Sequence, residues 1–153
     1  MNDRPHFRVV TARIERGGRY LITQRRPQSR LPLLWEFPGG RVQPGESDAS
    51  ALKRALRDKT GVEITVKEAA LKVIHHYEDY SLDLLVFRAE IESGEPHPLR
   101  VHAIAWATPE DLASYPFPPA DQQTIDILLE DMGIDKALLH ASISHRPEGD
   151  PDS

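Results

Sequence analysis

Trp35-Glu36-Phe37-Pro38-Gly39-Gly40-Arg41-Val42-Gln43-Pro44-Gly45-Glu46 runs straight into Ser47-Asp48-Ala49-Ser50-Ala51-Leu52-Lys53-Arg54-Ala55-Leu56-Arg57-Asp58-Lys59-Thr60-Gly61. The first half is a loop rich in Gly and Pro, and such a loop lets backbone groups come close to a phosphate or an ion. The second half carries the marks of a helix. Ser47 can cap it, Asp48 suits the positive end of its dipole, and Gly61 stands where helices commonly end in the left-handed conformation. Ala51, Leu52, Ala55 and Leu56 recur at helical spacing and form an apolar stripe. The stretch predicts a helix over about 48–60, fed by a loop shaped for close approach. Many strand-to-helix turns share that much.

Outward from this stretch, strands dominate. Residues 6–16 alternate Val9, Val10, Ala12 and Ile14 with charged neighbours, Gly17-Gly18 is a hairpin turn signal, and Tyr20-Leu21-Ile22 supplies the return strand. Pro27 to Pro32 reads as a polar loop, with a short apolar segment from Leu33 to Phe37 after it. Strand-like runs follow at 62–66, 70–77 and 82–91, then a turn at 93–96 and a short strand at 103–107. Pro109 after Thr108 starts a short helix, and a longer one covers about 120–132, closed by Gly133. There is no internal repeat. Mixed strands with two principal helices make the fold class α+β, or an α/β sandwich.

A chain of 153 residues fits one domain with a real core. Residues 1–140 are read as that domain. Residues 141–153 are read as a loose C-terminal tail, with His145 to Ser153 rich in Pro, Gly and Asp. No run approaches the roughly 20 apolar residues of a membrane-spanning helix, and no apolar run follows the N-terminus as in a secretion signal. Cysteine is absent, which excludes disulfides and thiolate metal sites and makes a reducing cytoplasm the default location. A formal charge of −5 argues against a general nucleic-acid binder, which needs a basic face.

Spacing turns the loop and helix into a specific signal. From Gly40, five residues lead to Glu46 and seven more to Arg54, and Leu56, Gly61 and Val62 follow in register. This resembles the Nudix box: Gly, five residues, Glu, seven residues, then Arg-Glu-apolar-any-Glu-Glu-any-Gly-apolar. The Trp-Glu-Phe-Pro-Gly-Gly wording and Phe117-Pro118-Pro119-Ala120-Asp121 look most like the MutT and CTP pyrophosphohydrolase branch, and the resemblance covers roughly residues 6–132. It implies the Nudix fold, an α/β/α sandwich with a mixed, curved sheet and two main helices. It also implies nucleoside triphosphate substrates, with Mg²⁺ as cofactor, held by carboxylates on the box helix. A homodimer would fit the resemblance.

Those carboxylates are where this sequence departs from the family. Positions 55, 58 and 59 share one helical face, and glutamates there would form the cluster of hard oxygen ligands that Mg²⁺ prefers. The residues present are Ala55, Asp58 and Lys59. A fourth family ligand often lies six residues before the Trp of the late strand, and counting back from Trp106 gives Arg100. Relative to the pattern, the cluster is about five charges more positive. The expectation is therefore a site that repels the metal the resemblance implies, with Gly40 and Asp58 left as metal contacts.

The candidate catalytic residues are Glu46, Arg54 and Asp58, of which Glu46 and Arg54 read first as an ion pair bracing the loop. Gly39, Gly40, Lys59 and Arg100 are candidates for phosphate, against a bland reading of Lys59 and Arg100 as solvated surface charges. Trp35, Phe37 and Asp121 are candidates for the base. At least one of the aromatics should instead pack beneath the loop, and an ionised Asp121 would accept from an exocyclic amine. His75 and His76 point to opposite faces of a strand and read as structural. Three functions compete: a nucleotide-binding Nudix domain with Mg²⁺-dependent hydrolysis strongly weakened or lost; an active hydrolase with a base relocated to Glu78, Asp79 or Asp83; and a sensor or interaction module without catalysis.

Overall fold

The alternation along residues 6–16 becomes strand β1 (His6–Arg16), which turns at Gly17-Gly18 into β2 (Arg19–Gln24). Both glycines have positive φ, 60° and 77°, the geometry a tight two-residue hairpin demands. The computed structural model describes residues 5–134, so the expected tail over 141–153 lies outside the described residues. Beyond the hairpin come β3 (Trp35–Glu36), β4 (Gly39–Arg41), α1 (Asp48–Thr60), β5 (Glu63–His76), β6 (Ser81–Ser93), β7 (Ala103–Ala107), α2 (Pro109–Leu112) and α3 (Pro119–Asp131).

The seven strands form one mixed sheet centred on β1. β1 runs parallel to β6 over His6–Ile14 and antiparallel to β2 and β4, while β2 also pairs with β3 and β7. A central strand is covered on both faces, which is why Val10, Thr11 and Ala12 are all buried. Val10, Ala12 and Ile14 pack with Leu52 and Leu56 of α1, and with Leu85 and Ala89 of β6. The opposite face carries Ile22, Phe37 and Val86 against Leu112 of α2 and Ile125, Leu128 and Leu129 of α3. Two helical layers on one sheet give the sandwich the sequence implies. No helix among the described residues is long and apolar enough to cross a membrane.

Two elements differ from expectation. The runs at 62–66 and 70–77 are one strand, β5, whose register against β6 shifts between Val66 and Ala69 and again between Ala69 and Leu71. Bulges interrupt the alternation without ending the pairing, so a two-residue period breaks where the strand does not. Part of the Gly-rich loop is itself strand. Gly39 and Gly40 pair with Thr11 and Val10, flanked by bonds from Ala12 N to Pro38 O (2.8 Å) and from Val42 N to Arg8 O (2.9 Å).

That pairing is closer than a side chain allows. A Cβ on Gly39 would collide with the Val10 carbonyl oxygen and stand 2.7 Å from Thr11 Cα. Gly39→Ala is therefore expected to push β4 off β1 and lower the urea midpoint by the equivalent of about 1–3 kcal/mol, read by circular dichroism. An unchanged midpoint contradicts this account of the β1–β4 contact.

Candidate functional site

The loop between β4 and α1 is held by its own charges. Glu46 accepts from Arg54 Nε at 2.7 Å, Arg54 Nη2 at 3.0 Å and Gln43 N at 2.9 Å. Arg54 Nη2 also donates to the Arg41 carbonyl at 2.9 Å, so one guanidinium ties the helix to both ends of the loop. The Arg54 bonds, and then the Gln43 amide, hold the Glu46 carboxyl below its ordinary range. Arg8 on β1 meets Asp48 through two 2.8 Å bonds and pins the helix start to the sheet. Both Glu46 oxygens are committed to bonds within the loop and to Arg54.

The helix face turned toward this loop carries a methyl and an amine. A Cβ built on Gly40 would lie 3.2 Å from Ala55 Cβ and 3.8 Å from Lys59 Nζ. Lys59, one residue short of the helix end, is half-buried and donates from Nζ to the Gly39 carbonyl at 2.5 Å. Burial pushes the Lys59 ammonium below its ordinary range, and the Glu36 carboxylate opposes that shift.

A pocket of about 520 Å³ opens beside this contact. That volume is in the range of small-molecule sites. Gly39, Gly40, Arg41, Lys59 and Thr11 line one part of it, and Phe7, Val9, Leu82 and Leu84 give it an apolar wall. Elsewhere Arg25, Glu36, Phe37 and Asp121 join the lining. Arg25 Nη1 donates to Glu36 at 3.0 Å and Arg25 Nε to the Arg30 carbonyl at 2.8 Å. Arg30 in turn pairs with Asp79 and lies 4.8 Å over the Tyr80 ring. Tyr80 stacks on Tyr77 at 4.7 Å, and the Tyr77 hydroxyl accepts from Ala120 N at the start of α3 (3.2 Å). Burial, more than any neighbour, pushes the Tyr77 hydroxyl up to about 12.

The structure thus brings Phe37, Gly39, Gly40, Lys59 and Asp121 to one cavity and leaves other candidates off its lining. Asp58 is one residue, about 100° of helix, from Lys59 and points to solvent. Arg100 is exposed, although its backbone N–H bonds the Lys59 carbonyl at 3.2 Å. Trp35 meets Tyr115 edge-on at 5.1 Å and packs against the α2–α3 core. Of the residues considered for a relocated base, Asp79 reaches the pocket already paired with Arg30, and Asp83 meets His6 at 3.1 Å. His75 bonds Gln123 at 2.7 Å, in keeping with a structural role. Arg25, Glu36, Arg41, Tyr77 and Tyr80 line the site without having been singled out. The signal for them is weak, since they sit at the ends of strands far apart in the chain.

The donor set does not fit a divalent cation. Mg²⁺ asks for oxygen ligands in a near-octahedral shell, whereas the Gly39 carbonyl here faces an ammonium, with a methyl next to it. Among the described residues, no three His, Asp or Glu side chains converge as a metal site requires.

The family model for the NUDIX domain matches residues 9–126, most of the chain and most of this site. The chain belongs to the Nudix family. It is 40% identical over 121 residues to the CTP pyrophosphohydrolase of Escherichia coli (strain K12), covering 74% of this chain and 84% of that protein. The solution structure of the E. coli ORF135 protein superposes with a TM-score of 0.70 at 33% identity, covering 85% and 94% of the two chains. A MutT protein from Methanosarcina mazei Go1 shares the fold with a TM-score of 0.76 at 21% identity, covering 88% of this chain and all, 100%, of that one. In Nudix terms, Ala55 and Lys59 occupy two of the three helix positions where the box pattern has Glu.

Asp121 is the pocket's other departure from a simple charge. Burial first, and Glu36 second, raise its pKa well above the ordinary 3.8. It therefore keeps its proton to higher pH than an exposed Asp, and a protonated carboxyl both donates and accepts. The raised value favours the folded state fully below the ordinary pKa, and that contribution is lost as pH rises through the folded value. Asp121→Asn, which carries no charge to bury, should raise Tm near neutral pH by about 2–4 °C, the scale of ~1 kcal/mol in a domain of this size. The gain should vanish toward pH 3.8. A variant whose Tm difference is the same at both ends of that range contradicts the raised pKa.

Proposed function

We propose that this chain is a nucleotide-binding Nudix domain that takes nucleoside triphosphates and has lost, or keeps only in strongly weakened form, Mg²⁺-dependent pyrophosphohydrolysis. The observation that carries the reading is the Lys59 ammonium on the Gly39 carbonyl, beside Ala55, on the helix face where the box pattern calls for carboxylates. Metal-dependent cleavage needs a dication to neutralise the phosphates and polarise the attacking water. An ammonium and a methyl group supply neither a ligand nor a base.

Nucleotide binding rests on different residues. The cavity has room for a nucleoside, with an apolar wall at Phe7, Val9, Leu82 and Leu84 and polar groups at Arg25, Glu36 and Asp121. Similarity to a CTP pyrophosphohydrolase makes CTP and dCTP the first ligands to try, with 8-oxo-dGTP beside them. In this reading Asp121 faces the base, and the Gly39–Gly40 backbone faces the phosphates.

Calorimetry with CTP, dCTP and 8-oxo-dGTP should give saturable binding to at least one of them. Pyrophosphate release in Mg²⁺ should be at least ~10³-fold slower than by the E. coli CTP pyrophosphohydrolase assayed alongside, the scale on which lost electrostatic stabilisation acts. Turnover at comparable rates overturns the loss of hydrolysis, and no binding to any nucleotide overturns the ligand class.

A further inference from the structure

We propose that the Lys59 ammonium, docked on the Gly39 carbonyl, is this chain's own counter-cation for a ligand's phosphates, so that the pocket takes phosphorylated ligands without a divalent metal. The proposal rests on the nucleotide-binding reading and adds how the phosphate end is held.

Three features of the pocket support it. An ammonium has three donors. One is used on Gly39, which leaves two for ligand oxygens, and a fixed backbone acceptor orients them. Gly40 has no side chain to stand between Nζ and the cavity, where a Cβ would already lie 3.8 Å from that nitrogen. The pocket's other charges are mostly paired among themselves: Arg25 with Glu36, and Arg30 with Asp79.

Lys59 differs in having a neutral carbonyl as its partner. Arg41, on the strand residue after Gly40, differs in the same way, since its guanidinium lies 4.2 Å over the Phe7 ring. Both cations line the cavity. A charged donor partly withdrawn from water and hydrogen-bonded to a neutral carbonyl gains from an anion brought within reach. Arg100, the other cation expected at the phosphates, is exposed and off the lining, so Arg41 takes that place.

A plain structural role for Lys59, bonding one loop carbonyl, makes different predictions. The test is calorimetry of the full chain with CTP, cytidine and inorganic tripolyphosphate, each in EDTA and in Mg²⁺. The native protein should bind CTP and tripolyphosphate in EDTA, with no gain on adding Mg²⁺. Lys59→Met should weaken both by about tenfold or more, as expected for a lost charge-assisted bond, and leave cytidine unchanged. Lys59→Arg should stay within about threefold. Lys59→Gln keeps a donor for Gly39 without the charge and should behave like the Met variant. If the Met variant fails to fold, the Gln and Arg variants decide.

Binding of CTP only in Mg²⁺, or equal affinity of native, Met and Gln proteins in EDTA, overturns the proposal. Should tripolyphosphate bind through Lys59 while cytidine does not bind at all, the nucleoside reading falls and the counter-cation stands. Should cytidine bind as well as CTP in EDTA, the counter-cation falls and the nucleoside pocket stands. If none of the three binds, both fall.

Discussion

Strand β4 lies this close to β1, and helix α1 this close to β4, because Gly39 and Gly40 carry no side chains. The strand comes against β1 at a distance that excludes a Cβ on Gly39, and Gly40 leaves room for Ala55 and the end of Lys59. The core beneath this contact, with Leu52 and Leu56 fully buried against Val10 and Ala12, needs that close approach. So does the polar layer above it. Arg54 can reach Glu46 and the Arg41 carbonyl together because loop and helix are already side by side. Packing sets the distance, and the ion pair then fixes the loop's shape.

That scaffold is separable from the chemistry usually built on it. Glu46, Arg54, Gly40 and Gly61 hold the backbone, while Ala55 is buried beneath Gly40 and Lys59 lines the cleft. Exchanging carboxylates for a methyl and an amine leaves every bracing contact in place. Lys59 sits in the last turn of the helix, which Gly61 closes in the left-handed conformation at φ 77°. A cation near a helix C-terminus is favourable in itself, which offsets part of the burial cost that lowers the Lys59 pKa. The same side chain alters what the loop carbonyl meets.

The far side of the cavity is organised by a chain of contacts rather than by a motif. Arg25 joins the Glu36 carboxylate to the Arg30 carbonyl, and Arg30 reaches Asp79 and Tyr80. Tyr80 stacks on Tyr77, whose hydroxyl meets the first turn of α3 beside Asp121. Leu31 and Leu33 in this stretch hold positive φ values of 52° and 63°, unfavourable for β-carbon-bearing residues, and the surrounding bonds to Arg25 maintain them.

The local sequence determined a good deal. The hairpin at Gly17-Gly18, the helix from Ser47 to Gly61 and the box spacing from Gly40 to Val62 are set by neighbours a few residues apart, where dihedral preference and periodicity act directly. The replacements at Ala55 and Lys59 were equally legible, because a helix converts spacing into a face. What tertiary structure decided was which charges meet. The parallel pairing of β1 with β6 joins residues 75 apart, and it brings Phe7 and Val9 to the same wall as Leu82 and Leu84. Arg25, Arg41 and Tyr77 enter the site, and Trp35, Asp58 and Arg100 leave it, through register and side-chain direction that depend on the whole sheet. Local spacing carries no information about contacts made across the fold.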